Sequence, residues 1–187
     1  KIKEAGFSYV GVSLDGLRDI NDHFRGLDGA FDSAMEGIKN CLRAGVKVGL
    51  RFTINRANYK QIPDIFDIMA ETGIPRICFY HLVYSGRGNE IRDHALTLAE
   101  TRRVSSLIFD KTVESFKSGR RIEVLTVDNH CDGVYLYLRA LKENPERAAE
   151  IYTLLEYNGG NNSGIAISCV DQHGNVHPDQ FWRHYSF

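Results

Sequence analysis

The sequence has few cysteines, and none of them lies close to another. Cys41, Cys78, Cys131 and Cys169 are the only four in a chain of 187 residues. Disulfide-rich secreted domains and compact zinc motifs both need cysteines at short, regular spacing, so this pattern favours neither class. Isolated thiols suit a reducing compartment, and the expected location is the cytoplasm.

The sequence also has no excess of charge of one sign and no long apolar run. Lysine and arginine total 23 against 24 aspartate and glutamate residues, which gives a formal net charge of -1. This balance provides no broad positive field for nucleic acid or for an anionic membrane surface. No apolar run approaches the roughly 18 to 20 residues of a membrane-spanning helix. The expectation is a soluble protein that binds neither nucleic acid nor membrane.

Segments typical of strands and of helices alternate up to residue 128. The strand-like segments are short and rich in β-branched residues, and they lie at 7–14, 46–54, 76–83 and 121–127. After the first comes a polar loop to Gly29, and apolar residues then recur at helical spacing at 31–42, 62–70 and 97–119. The last helix opens with a capping box of Thr97 and Glu100. This order predicts an α/β fold with a parallel sheet, too short for a closed barrel of about 250 residues.

The pattern changes after Asp128. Helical segments at 134–141 and 146–157 are followed by turn-forming residues 158–163 and by a predicted β-hairpin at 165–176. The sequence therefore predicts one α/β domain at 1–128 and a smaller α+β region at 129–187.

Polar side chains collect toward the ends of the first two strands. Side chains alternate between the two faces of a strand, so in the first strand Ser13 and Asp15 share a face. In the second strand, Arg51, Thr53 and Asn55 share a face. Ligands of α/β sheets bind at the carboxyl ends of the strands. A ligand with several hydrogen-bonding groups and some negative charge would suit these residues. Ordinary solvation of strand ends is the alternative.

Several short strings carry a resemblance to a known family. They are VSLDG at 12–16, NDHFRG at 21–26, GAF at 29–31, RFTIN at 51–55, SGRG at 85–88, TVDNH at 126–130 and GNVHPDQFW at 174–182. Their order and spacing resemble the middle of radical S-adenosylmethionine (SAM) enzymes. The resemblance is closest to the haem-biosynthesis branch, which contains NirJ-like proteins and their coproheme-decarboxylating relatives.

The resemblance implies the later half of a partial (β/α)6 barrel, in which a 4Fe-4S cluster binds SAM and cleaves it to a 5'-deoxyadenosyl radical. It places Ser13 and Asp15 near the methionine and ribose of SAM, and Arg51 near the carboxylate. Asn55 would lie near the ribose. The residues that it places near the adenine are Tyr80, His81 and Leu82.

The sequence departs from the family pattern at several positions. Asn21 stands where the family has histidine, although Asp22 and Arg25 match. The Cys-x3-Cys-x2-Cys loop that holds the cluster would lie before Lys1, so the chain alone is not expected to cleave SAM. The residues after 128 resemble the start of an auxiliary-cluster (SPASM or twitch) domain, yet Asp179 stands where many such domains have a cysteine ligand.

Two metal-site hypotheses concern this second region. Cys131 and Cys169 are candidate ligands of an auxiliary cluster, with ordinary core packing as the alternative. The spacing of Cys169, His173 and His177, with His184 further on, also fits a zinc site loosely.

His130 beside Asp128 is a candidate acid or base, or a plain loop histidine.

The sequence thus favours the central and carboxyl-side portion of a radical SAM enzyme of tetrapyrrole biosynthesis. The parent enzyme would use a tetrapyrrole substrate and an electron donor. The alternatives are a SPASM-type enzyme that matures peptides or proteins, and a non-catalytic SAM-binding α/β module. Because half a barrel leaves strand edges unpaired, a dimer is expected for this portion.

Overall fold

A four-stranded parallel sheet organises the first part of the chain. The computed structural model describes residues 1–187, and the strands follow one another across the sheet in chain order. They are β1 (Tyr9–Ser13), β2 (Lys47–Thr53), β3 (Arg76–Tyr80) and β4 (Glu123–Val127). All neighbouring pairs are parallel, which confirms the predicted α/β class with a parallel sheet.

Helices connect each strand to the next, as parallel pairing requires. They are α1 (Arg18–Arg25) and α2 (Ala30–Arg43) after β1, α3 (Ile62–Thr72) after β2, and α4 (Arg87–Glu90) and α5 (Leu98–Lys117) after β3. The capping box that begins α5 is confirmed, because the Thr97 side chain accepts from the Glu100 N–H and the Glu100 side chain accepts from the Thr97 N–H.

Helix α1 corrects the sequence interpretation, which treated residues 17–29 as a polar loop. The helix begins after Leu17 without a side-chain cap, and it ends at Gly26, whose φ of 66° is left-handed. Glycine reaches that conformation without the steric cost that other residues meet. No capping side chain marks the start of α1, so its only local signals are Asp19 in the first turn, the basic residues of the last turn and Gly26 at its end.

The two faces of the sheet differ in chemistry. One face carries aliphatic and aromatic side chains that pack on the helices, and we call it the apolar face. Phe79 lies at its centre, with its ring centroid 5.6 Å from that of Phe52 and 5.9 Å from that of Phe66. Other fully buried members of this core are Leu14, Val48, Leu50, Ile77, Ile38, Ile62 and Ile65. Burial of each such side chain stabilises the fold by about 1.5 to 3 kcal/mol.

The chain divides into two compact units. The first contains residues 1–82 and 90–128, and the second contains residues 83–89 and 129–187. The second unit includes α6 (Cys131–Glu143), α7 (Pro145–Asn158) and the antiparallel pair β5 (Cys169–Val170) and β6 (Val176–His177). That pair is shorter than the hairpin expected from the sequence, and the assignment of 1–128 and 129–187 to particular domains stays a prediction. None of the helices is both long and apolar enough to cross a membrane.

Candidate ligand site at the strand ends

The second face of the sheet, which we call the polar face, brings together side chains from three neighbouring strands. Ser13 of β1 is in register with Arg51 of β2, and Arg51 is in register with Cys78 of β3. The Arg51 guanidinium lies 5.7 Å from the centre of the Tyr80 ring, within the range of a cation–π contact. The structure therefore places the predicted residues Ser13, Arg51 and Tyr80 on one surface.

Gly11 supports the position of Arg51 on this face. A Cβ atom at Gly11 would lie 3.1 Å from Nε and 3.4 Å from Cδ of Arg51, which is closer than side chains normally pack. The missing side chain thus lets Arg51 extend across the neighbouring strand β1. Arg51 is exposed, so its N–H groups are accessible to a carboxylate of a ligand. A guanidinium can bind a carboxylate through two parallel hydrogen bonds.

Cys78 and Tyr80 form a polar pair beside Arg51, and Cys78 was not among the predicted site residues. Burial raises the pKa of the Cys78 thiol above its usual range. Burial also raises the pKa of the Tyr80 phenol. Both groups are therefore neutral at neutral pH, and the phenol and thiol can each donate a hydrogen bond. The alternation of side chains along β3 was the available signal for Cys78.

Asp15 is fully buried, and its polar atoms have partners within the protein. Oδ1 accepts the Thr53 N–H at 2.6 Å, and Oδ2 forms an ion pair with Arg25. The Asp15 N–H donates to Oδ1 of Asn21 at 2.9 Å. Burial outweighs these partners and raises the pKa of the Asp15 carboxyl group. These contacts show Asp15 joining the ends of β1 and β2 to helix α1.

Asn55 is likewise buried, with only 1% of its surface exposed, and its side chain is hydrogen-bonded within the protein. Its Oδ1 accepts the Ala57 N–H at 2.9 Å, and its Nδ2 donates to the Thr53 carbonyl at 3.2 Å. The predicted site residues thus separate into an open group, Ser13, Arg51 and Tyr80, and a buried group, Asp15 and Asn55. That any of them contacts SAM stays a prediction.

His81 and Leu82 directly follow β3 and are half-buried. The His81 N–H donates to the Val127 carbonyl at 3.1 Å, which continues the pairing of β3 with β4 by one residue. Their predicted place beside the adenine of SAM therefore lies at the same carboxyl edge of the sheet as Tyr80, and the contact itself stays a prediction.

The loop between α1 and α2 is fixed by Asp22. Its carboxylate accepts the N–H groups of Gly29 and Phe31, both at 2.7 Å. The hydrogen bond from Phe31 is the main reason that the pKa of Asp22 is lowered. The adjacent Asn21, which replaces the histidine of the family pattern, is 1% exposed and is directed at the Asp15 backbone. The Asn21 amide oxygen therefore fixes the backbone just after β1 through this hydrogen bond.

The second unit does not assemble the loosely predicted zinc ligands. His177 is buried, and its ring nitrogens lie 2.6 Å from the Tyr185 carbonyl and 3.2 Å from Oδ2 of Asp171. His173 is exposed and contacts Gln172. No group of three or more His, Cys, Asp or Glu side chains in the chain could hold a metal ion. Hydrogen bonds to Asp171 in the hairpin turn and to the Tyr185 backbone after the hairpin account for the placement of His177.

The cysteines and Asp179 of this unit have separate surroundings. Cys131 is exposed at the start of α6, and Cys169 is half-buried opposite His177 in the β5–β6 pair. Oδ1 of Asp179 accepts the N–H groups of Phe181 and Trp182 at 2.7 and 2.8 Å. Asp179 therefore closes a turn at the position where many SPASM or twitch domains have a cysteine ligand. That Cys131 or Cys169 binds a cluster stays a prediction.

The hairpin should carry a measurable pH dependence. The Tyr185 carbonyl and then the Asp171 carboxylate raise the pKa of His177. A raised pKa stabilises the fold below the ordinary histidine value of about 6.5, and this contribution is lost as the pH rises through the folded pKa. In Asp171→Asn, we expect NMR titration of the imidazole to show a lower His177 pKa. Asp179→Asn is the matched control, and an equal shift in both variants would contradict the assignment.

Known proteins resemble the chain over its whole length. No protein-family profile matches it. It is 60% identical over 187 residues, 100% of the chain, to Fe-coproporphyrin III synthase of Methanosarcina barkeri, and it covers 47% of that protein. It is 40% identical over 189 aligned residues, again 100% of the chain, to pre-heme d1 synthase of Dinoroseobacter shibae, and it covers 46% of that protein. The chain is a homologue of radical SAM enzymes of haem biosynthesis. The resemblance seen in the sequence is thereby confirmed.

The homology concerns a part of those relatives, because the chain spans about half of their length. A solved structure shares the fold: native anSMEcpe with bound AdoMet and Kp18Cys peptide has a TM-score of 0.60 at 18% identity. The match covers 97% of this chain and 47% of that one. At this identity, the similarity supports the fold alone.

Proposed function

We propose that this chain is the portion of a radical SAM enzyme that binds SAM at its strand ends and acts on a haem-type tetrapyrrole. The observation that carries the proposal is 60% identity, over the whole chain, to an Fe-coproporphyrin III synthase. The polar face adds a chemically suitable surface. The finer fold proposed with it is the later half of a partial (β/α)6 barrel, followed by the start of a SPASM or twitch domain.

The open group of residues fits the polar parts of SAM. Arg51 would bind the methionine carboxylate, and the Ser13 hydroxyl would face the methionine and ribose. Tyr80, with His81 and Leu82, would form the adenine side of the site. Asp15 and Asn55 would support this surface by fixing the backbone beneath it, because their side chains already accept hydrogen bonds from neighbouring backbone N–H groups.

The cluster needs ligands that this sequence does not contain. With SAM bound, a 4Fe-4S cluster would supply the electron that generates a 5'-deoxyadenosyl radical. Its thiolates would come from a Cys-x3-Cys-x2-Cys motif elsewhere in the parent protein, which the four dispersed cysteines here do not form. The parent enzyme would also need an electron donor, and we propose a cytoplasmic location. A dimer of this portion is proposed from its unpaired strand edges.

The test is a turnover experiment on the natural full-length protein. After anaerobic reconstitution with iron and sulfide, it is incubated with SAM and dithionite, with and without a propionate-bearing iron tetrapyrrole. We expect formation of 5'-deoxyadenosine, more of it with the tetrapyrrole, and a shift of the Soret band on binding. A reconstituted protein that forms no 5'-deoxyadenosine would refute the enzymatic proposal. Binding of SAM without cleavage would instead favour the non-catalytic module.

Peptide or protein maturation is the second candidate function. It is favoured by the shared fold with anSMEcpe, whose structure holds a peptide together with AdoMet. The same turnover experiment separates the two candidates, because a peptide substrate would stimulate SAM cleavage while the tetrapyrrole would leave it unchanged.

A further inference from the structure

A buried amide that the sequence did not single out connects three backbone groups of the candidate site. Asn58 has no exposed surface. Its Nδ2 donates to the Asp15 carbonyl at 2.9 Å and to the Thr53 carbonyl at 2.8 Å. Its Oδ1 accepts the Asn55 N–H at 2.8 Å. One side chain therefore binds the backbone just after β1, the last residue of β2 and the turn that follows it.

These contacts take over where the sheet pairing of β1 with β2 stops. The last backbone hydrogen bond between the two strands runs from the Leu14 N–H to the Arg51 carbonyl, at 2.9 Å. Beyond it, the Thr53 N–H donates to the Asp15 carboxylate and the Thr53 carbonyl accepts from Asn58. The N–H and the carbonyl of Thr53 are thus both hydrogen-bonded to buried side chains from other segments.

The position of these contacts bears on the ligand-facing side chains. Ser13 lies two residues before Asp15, and Arg51 lies two residues before Thr53, on the same face of the sheet. Resting on the proposed function above, we infer that Asn58 is a positioning residue of the SAM site. It acts through Asp15 and Thr53 on the separation and orientation of Ser13 and Arg51.

Only an amide can make this set of bonds. Two donors on one nitrogen reach two carbonyls, and the adjacent oxygen accepts an N–H. Aspartate has nearly the same shape, but it offers one proton to the two carbonyl oxygens when it is protonated and none when it is ionised. Asn58→Asp therefore removes at least one of the two donated hydrogen bonds at almost constant volume. Asn58→Ser keeps one hydroxyl donor and is the milder variant.

The experiment measures KM and kcat for SAM cleavage by the reconstituted full-length protein, together with the temperature of unfolding. We expect Asn58→Asp to raise the KM for SAM about tenfold with little change in kcat, because a misplaced binding surface weakens substrate and transition state alike. Asn58→Ser should give a smaller rise. If Asn58→Asp does not fold, the KM of Asn58→Ser decides.

The control is Asn144→Ala in the second unit. The Asn144 side chain accepts the Arg147 N–H at 3.1 Å and begins α7, so its loss should lower the unfolding temperature without changing the KM for SAM. An Asn58 variant that unfolds earlier but keeps the wild-type KM would show a purely structural role and overturn the inference. The proposed function would survive that result. A wild-type protein that neither binds nor cleaves SAM would instead overturn both.

Discussion

Replacement of Arg51 by methionine is expected to raise the KM for SAM by about 10- to 100-fold. Hydrogen bonds to a charged group contribute about 1.5 to 3 kcal/mol, and each 1.4 kcal/mol corresponds to a tenfold change. Methionine keeps much of the aliphatic volume across Gly11 and removes only the guanidinium. Initial rates of SAM cleavage against SAM concentration, in the reconstituted full-length protein, would measure the effect.

Two variants show whether the effect belongs to the guanidinium at this position. Arg51→Lys should be intermediate, because an ammonium keeps the charge but lacks the planar pair of N–H donors. Arg56→Met is the matched control: its side chain is 50% exposed, lies just beyond β2 and pairs with Glu100 at 3.6 Å. If the two methionine variants changed the KM equally, a general loss of positive charge would explain the result, and the proposed role of Arg51 would be wrong.

Replacement of Asp15 by alanine should lower the free energy of unfolding by about 2 to 4 kcal/mol. The change leaves the buried Thr53 N–H without its acceptor, and a buried polar group without a partner costs about 1 to 3 kcal/mol. It also removes the ion-pair partner of Arg25, which is 36% exposed and can turn partly toward water. Urea unfolding followed by circular dichroism would measure the loss. A change below about 0.5 kcal/mol, typical of surface positions, would contradict the assignment.

The partner variant Arg25→Met tests the electrostatic part of this contact. Without the guanidinium, burial should raise the pKa of Asp15 further, so the folded state binds a proton that the unfolded state has released. Stability should then fall as the pH rises from the ordinary aspartate value of about 3.9 through the folded pKa. Asp15→Ala should lack this added slope. A stability profile in Arg25→Met that is parallel to that of Asp15→Ala would argue against a buried, ionisable Asp15.

The alternation of side chains along the strands predicts which way some of the candidate residues face, and it fails for others. It placed Ser13 and Arg51 on one face because both lie inside the paired segments of β1 and β2. The same rule was extended to Asp15 and Asn55, which lie beyond the ends of those strands. Once the extended backbone ends, alternation no longer dictates direction, and both side chains turn into buried hydrogen bonds instead.

Asn58 shows what a single sequence cannot indicate. One of its acceptors, the Asp15 carbonyl, lies 43 positions away along the chain. No local pattern distinguishes this asparagine from one in an ordinary turn, since the bond exists only after β1 and β2 are paired. Helix α1 was missed for a related reason, because it lacks a capping side chain and its Asn21 is held by Asp15. The capping box at Thr97, by contrast, involves residues three apart and was visible in the sequence.

Gly11 influences the polar face although it is not one of the residues proposed to bind the ligand. A methyl group there would stand 3.1 Å from Nε of Arg51, so the arginine would have to yield by a few tenths of an ångström. The tilt of the guanidinium is therefore set by the adjacent strand, through the absence of a side chain. A substitution at position 11 is therefore expected to displace the Arg51 guanidinium, and with it the proposed contact to a ligand carboxylate, without changing Arg51 itself.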